Sequence, residues 1–156
     1  MEIVLGWLVN VLTFGWKKRR EADIELFNRL YSQLKFNSDS CILLRDQDFH
    51  NSFSFSYLKP LNNIVEDWEY PDAKFHSWLV ERKKKAFLQN LREFLNELEL
   101  HTAMEANGQI SIGLKDNDMR GKSEKKEIIK NLNSLKDQTY KSYVKLFKKF
   151  KRELNA

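Results

Sequence analysis

Cysteine, proline and glycine are all scarce in this chain, and each scarcity removes a class of protein. Cys41 is the one cysteine among 156 residues, which excludes an intramolecular disulfide and any metal centre built from several thiolates. It lies in the apolar tetrad Cys41-Ile42-Leu43-Leu44, so it reads as a small buried hydrophobe and not as a nucleophile. Two prolines and five glycines leave little punctuation, which argues for long helices and against many short strands. Catalytic signatures are missing as well. Gly108 and Gly113 have the spacing of a phosphate loop, but Leu114-Lys115 follows where Lys-Ser or Lys-Thr is needed. Neither a Gly-x-Ser-x-Gly elbow nor a His-Glu-x-x-His pair occurs. His76 and His101 fall about 37 Å apart along one helix, too far to share a metal. No cofactor and no small-molecule substrate is expected, and enzymatic activity has no support in these residues.

A full-length transmembrane run is lacking too. The longest apolar stretch, Ile3 to Trp16, would make about 21 Å of helix against roughly 30 Å of bilayer hydrocarbon. What is there is nevertheless distinctive. The stretch contains Trp7 and Trp16 and is closed by four consecutive cations, Lys17, Lys18, Arg19 and Arg20. Its polar and small residues Glu2, Gly6, Asn10, Thr13 and Lys17 recur at helical spacing and share one stripe, with Gly15 off it. Such a stripe suits close helix–helix contact in lipid or the wet face of a helix lying in the interface. A cleaved signal peptide fits less well, because no cationic segment precedes the run and no small-residue cleavage site follows it. Snorkelling cations, an interfacial tryptophan and a thinned bilayer would let so short a run span as a single pass, and the positive-inside bias would then leave the rest of the chain in the cytoplasm.

The remaining composition is that of an ordinary folded domain, with 42% apolar and 31% charged residues. We therefore divide the chain into an apolar N-terminal anchor or oligomerisation helix with a basic flank, residues 1–20, and a soluble helical-bundle domain, residues 21–156. The net charge of +5 is uneven. Residues 21–72 carry about −6, whereas residues 1–20 and residues 136–156 carry about +3 and +5, so the chain is not a uniformly basic nucleic-acid binder.

Hydrophobic periodicity extends the first helix to about Lys35 through Ile24, Phe27, Leu30, Tyr31 and Leu34, with Asp23 among its polar positions. Asn37-Ser38-Asp39-Ser40 ends it. Cys41 to Leu44 suits either a strand or a helix, and alternation of Phe53, Phe55 and Tyr57 with serines predicts an extended segment whose aromatics cap the core. Leu58 to Trp68 reads as a helix with Pro60 in its first turn, stopping before Pro71. The clearest helix runs to about Thr102 on Phe75, Trp78, Leu79, Ala86, Leu88, Leu91, Phe94, Leu95 and Leu98. Glu81, Arg82, Lys83, Lys84 and Lys85 read as its solvated face. Ile110, Ile112 and Leu114 alternate within the connection 105–122, which suggests a strand-like arm. Ser123 is a reasonable N-cap for a last helix from about Glu124 to Leu154. The expected fold is mainly α: an antiparallel bundle of a long N-terminal helix and three further helices, with a short extended segment or hairpin.

Two other groups carry chemistry. Asp46, Asp48 and His50 would share one face of a strand and are weak candidates for a divalent cation, although an EF-hand's further ligands are absent; hydrogen bonds of a turn and an ion pair with Arg45 are the simpler reading. The last helix carries Lys136, Lys141, Lys145, Lys148, Lys149, Lys151 and Arg152, candidates for contact with an anionic surface. The sequence thus leads to a membrane-tethered helical interaction or assembly protein without enzymatic activity. Gly6, Trp7, Asn10, Thr13, Trp16 and the cations Lys17, Lys18, Arg19 and Arg20 would contact lipid or a second copy, and the acidic centre would face a protein partner. The alternatives are a cytoplasmic subunit that oligomerises through its N-terminal helix and a nucleic-acid-binding module that uses its basic C-terminal helix.

Overall fold

The computed structural model describes residues 2–113 and 122–154; the side chains of residues 2–8, 10 and 11 lie outside that description, and with them Gly6, Trp7 and Asn10 of the expected contact face. Five α-helices are present among the described residues: α1 (Glu2–Gln33), α2 (Asp39–Asp46), α3 (Leu58–Trp68), α4 (Trp78–His101) and α5 (Lys122–Leu154). Three short strands, β1 (Phe53–Ser54), β2 (Ala103–Met104) and β3 (Gln109–Ser111), form an antiparallel sheet in the order β1-β3-β2. The mainly helical bundle with a small hairpin is therefore observed, with one helix more than expected.

α4 and α5 form the central antiparallel pair. Phe87 meets Tyr143, Phe75 meets Phe150, and Thr139 Oγ1 donates to the Asn90 carbonyl at 3.1 Å. The C-terminal half of α1 lies along α5 in the opposite direction, with Phe27 stacked on Phe150 at 3.6 Å between centroids. Phe36, just beyond α1, packs on Tyr143 and Phe147. The Tyr143 hydroxyl donates to the Leu34 carbonyl, which pins the end of α1 across the bundle. Trp68 at the end of α3 donates through Nε1 to Gln33 Oε1 at 2.6 Å. These interlocked aromatic residues bury the large apolar areas that hold the domain together.

Several sequence expectations need correction. Cys41 to Leu44 belong to α2, because Ser38 caps the helix by accepting from the Cys41 amide, and Cys41, Leu43 and Leu44 are buried on one side. The alternation of Phe53, Phe55 and Tyr57 does not persist as a strand. Ser54 accepts from the Ser56 amide and turns the chain into one 3-10 turn, leaving Phe55 exposed while Phe53 is buried. α4 starts at Trp78 with Ser77 as N-cap, so Phe75 precedes it; Trp78 and Ala86 are exposed, not core. Glu81 and Lys84, read as solvated, are buried and paired at 3.1 Å. Asp23, read as polar surface of α1, is buried at 2% exposure. Asp46, Asp48 and His50 do not share a strand: Asp46 ends α2, and the other two lie in the turn after it.

The strand-like arm is present as the hairpin β2–β3. Gly108 turns it at φ 77°, a left-handed conformation that strains residues with a side chain, and the Gly108 amide donates to the Glu105 carbonyl. Ile110 is buried opposite Phe53, whereas Leu114, the third member of the alternation, lies outside the described residues.

Candidate functional site

The N-terminal half of α1 projects from the bundle. Val9, Leu12, Phe14 and Trp16 are 54%, 69%, 71% and 65% exposed, and the first buried side chain of this helix among the described ones is Asp23. From Glu2 to Arg19 the helix is about 27 Å long, and the side chains described along it, Val9, Leu12 to Phe14 and Trp16 to Arg19, are exposed. Val9, Leu12 and Trp16 share a stripe, but Phe14 points elsewhere, so apolar side chains emerge on more than one side. Thr13 Oγ1 donates to the Val9 carbonyl at 2.8 Å, which satisfies its hydroxyl within the helix and suits it to an apolar environment. Among the described residues no helix is long and apolar enough to cross a membrane, which goes against the single-pass expectation.

Two interactions anchor the base of this projection. Asp23 accepts from the His76 amide at 2.7 Å and the Ser77 amide at 2.8 Å, satisfying orphan donors ahead of α4 with a carboxylate. Arg20 donates through Nη2 to the Leu154 carbonyl at 2.6 Å, where the carbonyls ending α5 lack partners within the helix and concentrate negative potential. Residues 134 positions apart meet there. The base of α1, the start of α4 and the end of α5 consequently share one end of the molecule, around a crevice of about 330 Å³ lined by Trp16, Arg19, Arg20, His76 and Leu154 among others.

This arrangement unites two groups that the sequence places at opposite termini. Lys17, Lys18, Arg19 and Arg20 form a collar at the root of the projection, and the bond from Arg20 to Leu154 brings its last member to the final turn of α5, which carries Lys151 and Arg152. Lys141, Lys145, Lys148 and Arg152 form one exposed stripe along α5 at spacings of four, three and four, directed away from the core. Lys149 is mostly buried and paired with Glu153 at 2.8 Å, and Lys136 is buried, donating to the Gln47 carbonyl. Trp78, which sequence reasoning assigned to the core, stands 66% exposed at this same end. Among the described residues each exposed tryptophan carries an arginine over its ring, Arg20 over Trp16 at 5.8 Å and Arg82 over Trp78 at 5.7 Å.

The acidic turn after α2 is already satisfied. Asp46 pairs with Arg45 at 2.7 Å, which lowers its pKa. Asp48 accepts from the His50 amide and ring and from Asn133, and these hydrogen bonds lower its pKa to about 2. Among the described residues no group of three or more His, Cys, Asp or Glu side chains is placed to hold a metal ion. A second cleft, of about 440 Å³, lies between the α3–α4 link and α4 beside Trp68 and Tyr70. Its charged groups also have partners: Arg92 pairs with Glu69, and Lys84 pairs with Glu81 and donates to the Ala73 carbonyl. Burial holds the Lys84 pKa below its ordinary value, as expected of a structural ion pair. Glu81 accepts in turn from the Phe75 amide at 2.9 Å, so the pair pins the link to α4.

Compared with known proteins, the chain matches no family model, no curated protein and no solved structure.

Proposed function

We propose that this chain is a membrane-tethered helical interaction or assembly protein without a reaction of its own. The observation that carries the reading is the projecting half of α1, which exposes apolar side chains on more than one side and ends in four cations. Burying the exposed parts of Val9, Leu12, Phe14 and Trp16 is worth about 4–8 kcal/mol, scaled from roughly 1.5–3 kcal/mol for a fully exposed side chain. An apolar run of about 21 Å suits insertion part-way into a bilayer, with Trp16 at the interface and the cations among headgroups. The domain would then sit on the cytoplasmic side and present its acidic centre, residues 39–72, to a protein partner.

The test is partition of the full-length chain and residues 17–156 between membrane and soluble fractions. The full-length chain is expected with membranes and the shortened one in solution. A full-length chain that is soluble and monomeric without detergent refutes the proposal. A second reading, a soluble subunit whose N-terminal helices pack together, draws on the single stripe shared by Val9, Leu12 and Trp16. It predicts a detergent-free oligomer that dissociates when residues 1–16 are deleted. Phe14 favours lipid over this seam, because a two-helix contact would leave its ring in water.

A further inference from the structure

We infer that the whole stalk-side end of the domain, and not the projecting helix alone, docks on an anionic membrane leaflet. In this contact Arg19, Arg20, Lys151 and Arg152 meet the headgroups while Trp16 and Trp78 enter the interface. The inference rests on the membrane-tether reading and extends it to α4 and α5, which that reading leaves without a role.

Three independent observations converge on this end. The first is position: Arg20 is bonded to Leu154 and Asp23 to the amides of His76 and Ser77, so Trp78, the collar and the last turn of α5 cannot separate without breaking these ties. The second is the pair of exposed tryptophans, 65% and 66% accessible, each with an arginine over its ring. An indole beside a guanidinium matches the boundary between acyl chains and headgroups, where one part is apolar and the other charged. A lone exposed tryptophan is unremarkable; two on one end at the root of an apolar helix define a plane.

The third is charge. Asp23 is occupied by two amides and Glu153 by Lys149, which leaves Glu21 against the cations of the collar and of α5. Anionic lipid supplies the complementary charge, and each cation near such a surface strengthens binding roughly five-fold. The opposite end of the bundle also exposes apolar side chains, Leu100 and Met104, but its charge is mixed: Glu97, Glu99 and Glu105 lie at the end of α4 and in the hairpin, and Lys122, Lys125 and Lys126 alternate with Glu124 and Glu127 at the start of α5. A mixed patch gains less from an anionic leaflet than the collar and the last turn of α5, so the charge distribution favours the stalk end.

The test uses the full-length protein and vesicles of phosphatidylcholine, alone or with about 30% phosphatidylglycerol. Cys41 is buried, so a polarity-sensitive thiol dye can be placed selectively at His76→Cys, beside the crevice, or at Ala106→Cys in the distant hairpin turn. Both replaced side chains are exposed, and the His76 amide bond to Asp23 does not use the imidazole. The expected result is tighter binding to anionic than to neutral vesicles, with a blue shift from the dye at position 76 and none at 106. Replacing Lys148, Lys151 and Arg152 together by Gln should weaken anionic-vesicle binding by about 100-fold and leave neutral-vesicle binding unchanged. If full-length protein binds both vesicle types equally and neither dye responds, the docking inference is overturned while the tether survives. A response from both dyes also overturns it. Absence of binding to any vesicle removes the tether reading itself, and salt-sensitive binding of the same cations to duplex DNA in that case selects a nucleic-acid module instead.

Discussion

Replacing Asp23 by alanine tests the joint on which the geometry of the stalk end depends. The substitution removes an acceptor from two amides at once, those of His76 and Ser77, now held at 2.7 and 2.8 Å. A hydrogen bond to a charged partner contributes about 1.5–3 kcal/mol, so two give an upper range of about 3–6 kcal/mol. Both amides are only partly buried, and water can reach them once the carboxylate is gone. The expectation is therefore the low end, about 3 kcal/mol. For a chain of this size that corresponds to a fall in Tm of roughly 6–12 °C. Asp23→Asn keeps one acceptor oxygen but turns an NH2 group toward the second amide, and should recover less than half of the loss. Glu25→Ala, two residues on and exposed, is the control and should stay within about 0.5 kcal/mol of the parent. Urea unfolding gives the free energies, and hydrogen exchange at the amides of His76 and Ser77 gives a local readout. A loss below about 1 kcal/mol, with exchange at those two amides unchanged, would refute the reasoning.

Breaking the buried Glu81–Lys84 pair from one side should be costly. Lys84→Met is expected to destabilise by about 3–5 kcal/mol in urea unfolding because it strands the carboxylate, and Glu81→Gln added to it should recover a large part by removing that charge while keeping an acceptor for the Phe75 amide. Cys41, whose thiol is pushed up to about 11 by burial, should resist alkylation in the native protein at pH 8 and react once the chain is unfolded. Rapid native labelling would contradict its packing. Asp48 titrates at about 2 in the folded chain against 3.8 for the unperturbed group, so its stabilising contribution is complete above pH 3.8 and is lost as pH falls toward 2. Asp48→Asn should therefore flatten this part of the acid limb in a series of thermal melts, and an unchanged limb would show that its hydrogen bonds do not form.

The helices were legible because burial follows a period of 3.6 over long, glycine-poor stretches. Leu58 to Trp68 and the run from Leu88 to Leu98 declare themselves in that way. Where a segment is short the rule has no purchase: Cys41 to Leu44 is apolar throughout, and the Ser38 cap decided it. The buried polar residues were missed although the same periodicity points to them. Asp23 lies four residues before Phe27, and Lys84 and Glu81 lie seven residues before Leu91 and Leu88, each on the same helical face. At these positions the phase of the helix, and not residue type, decides burial. The candidate site was only half legible. The apolar run and both basic segments are visible in the sequence, but their meeting depends on an Arg20–Leu154 contact that no local pattern encodes.

The continuity of α1 has a mechanical consequence. One helix runs from Glu2 to Gln33 without a hinge, and its second half is clamped to the bundle by Asp23, Arg20 and the hydroxyl of Tyr143. A domain hung on a flexible leash would tumble; on the proposed tether this one would be carried on a continuous helix and would inherit both the tilt and the azimuth of whatever gripped the first half. Each residue inserted between Trp16 and Asp23 would turn the bundle by about 100° and lift it by about 1.5 Å. Neighbouring copies gripped alike would all show the same side in the same direction, so the length of the stalk sets which face of the domain a partner meets.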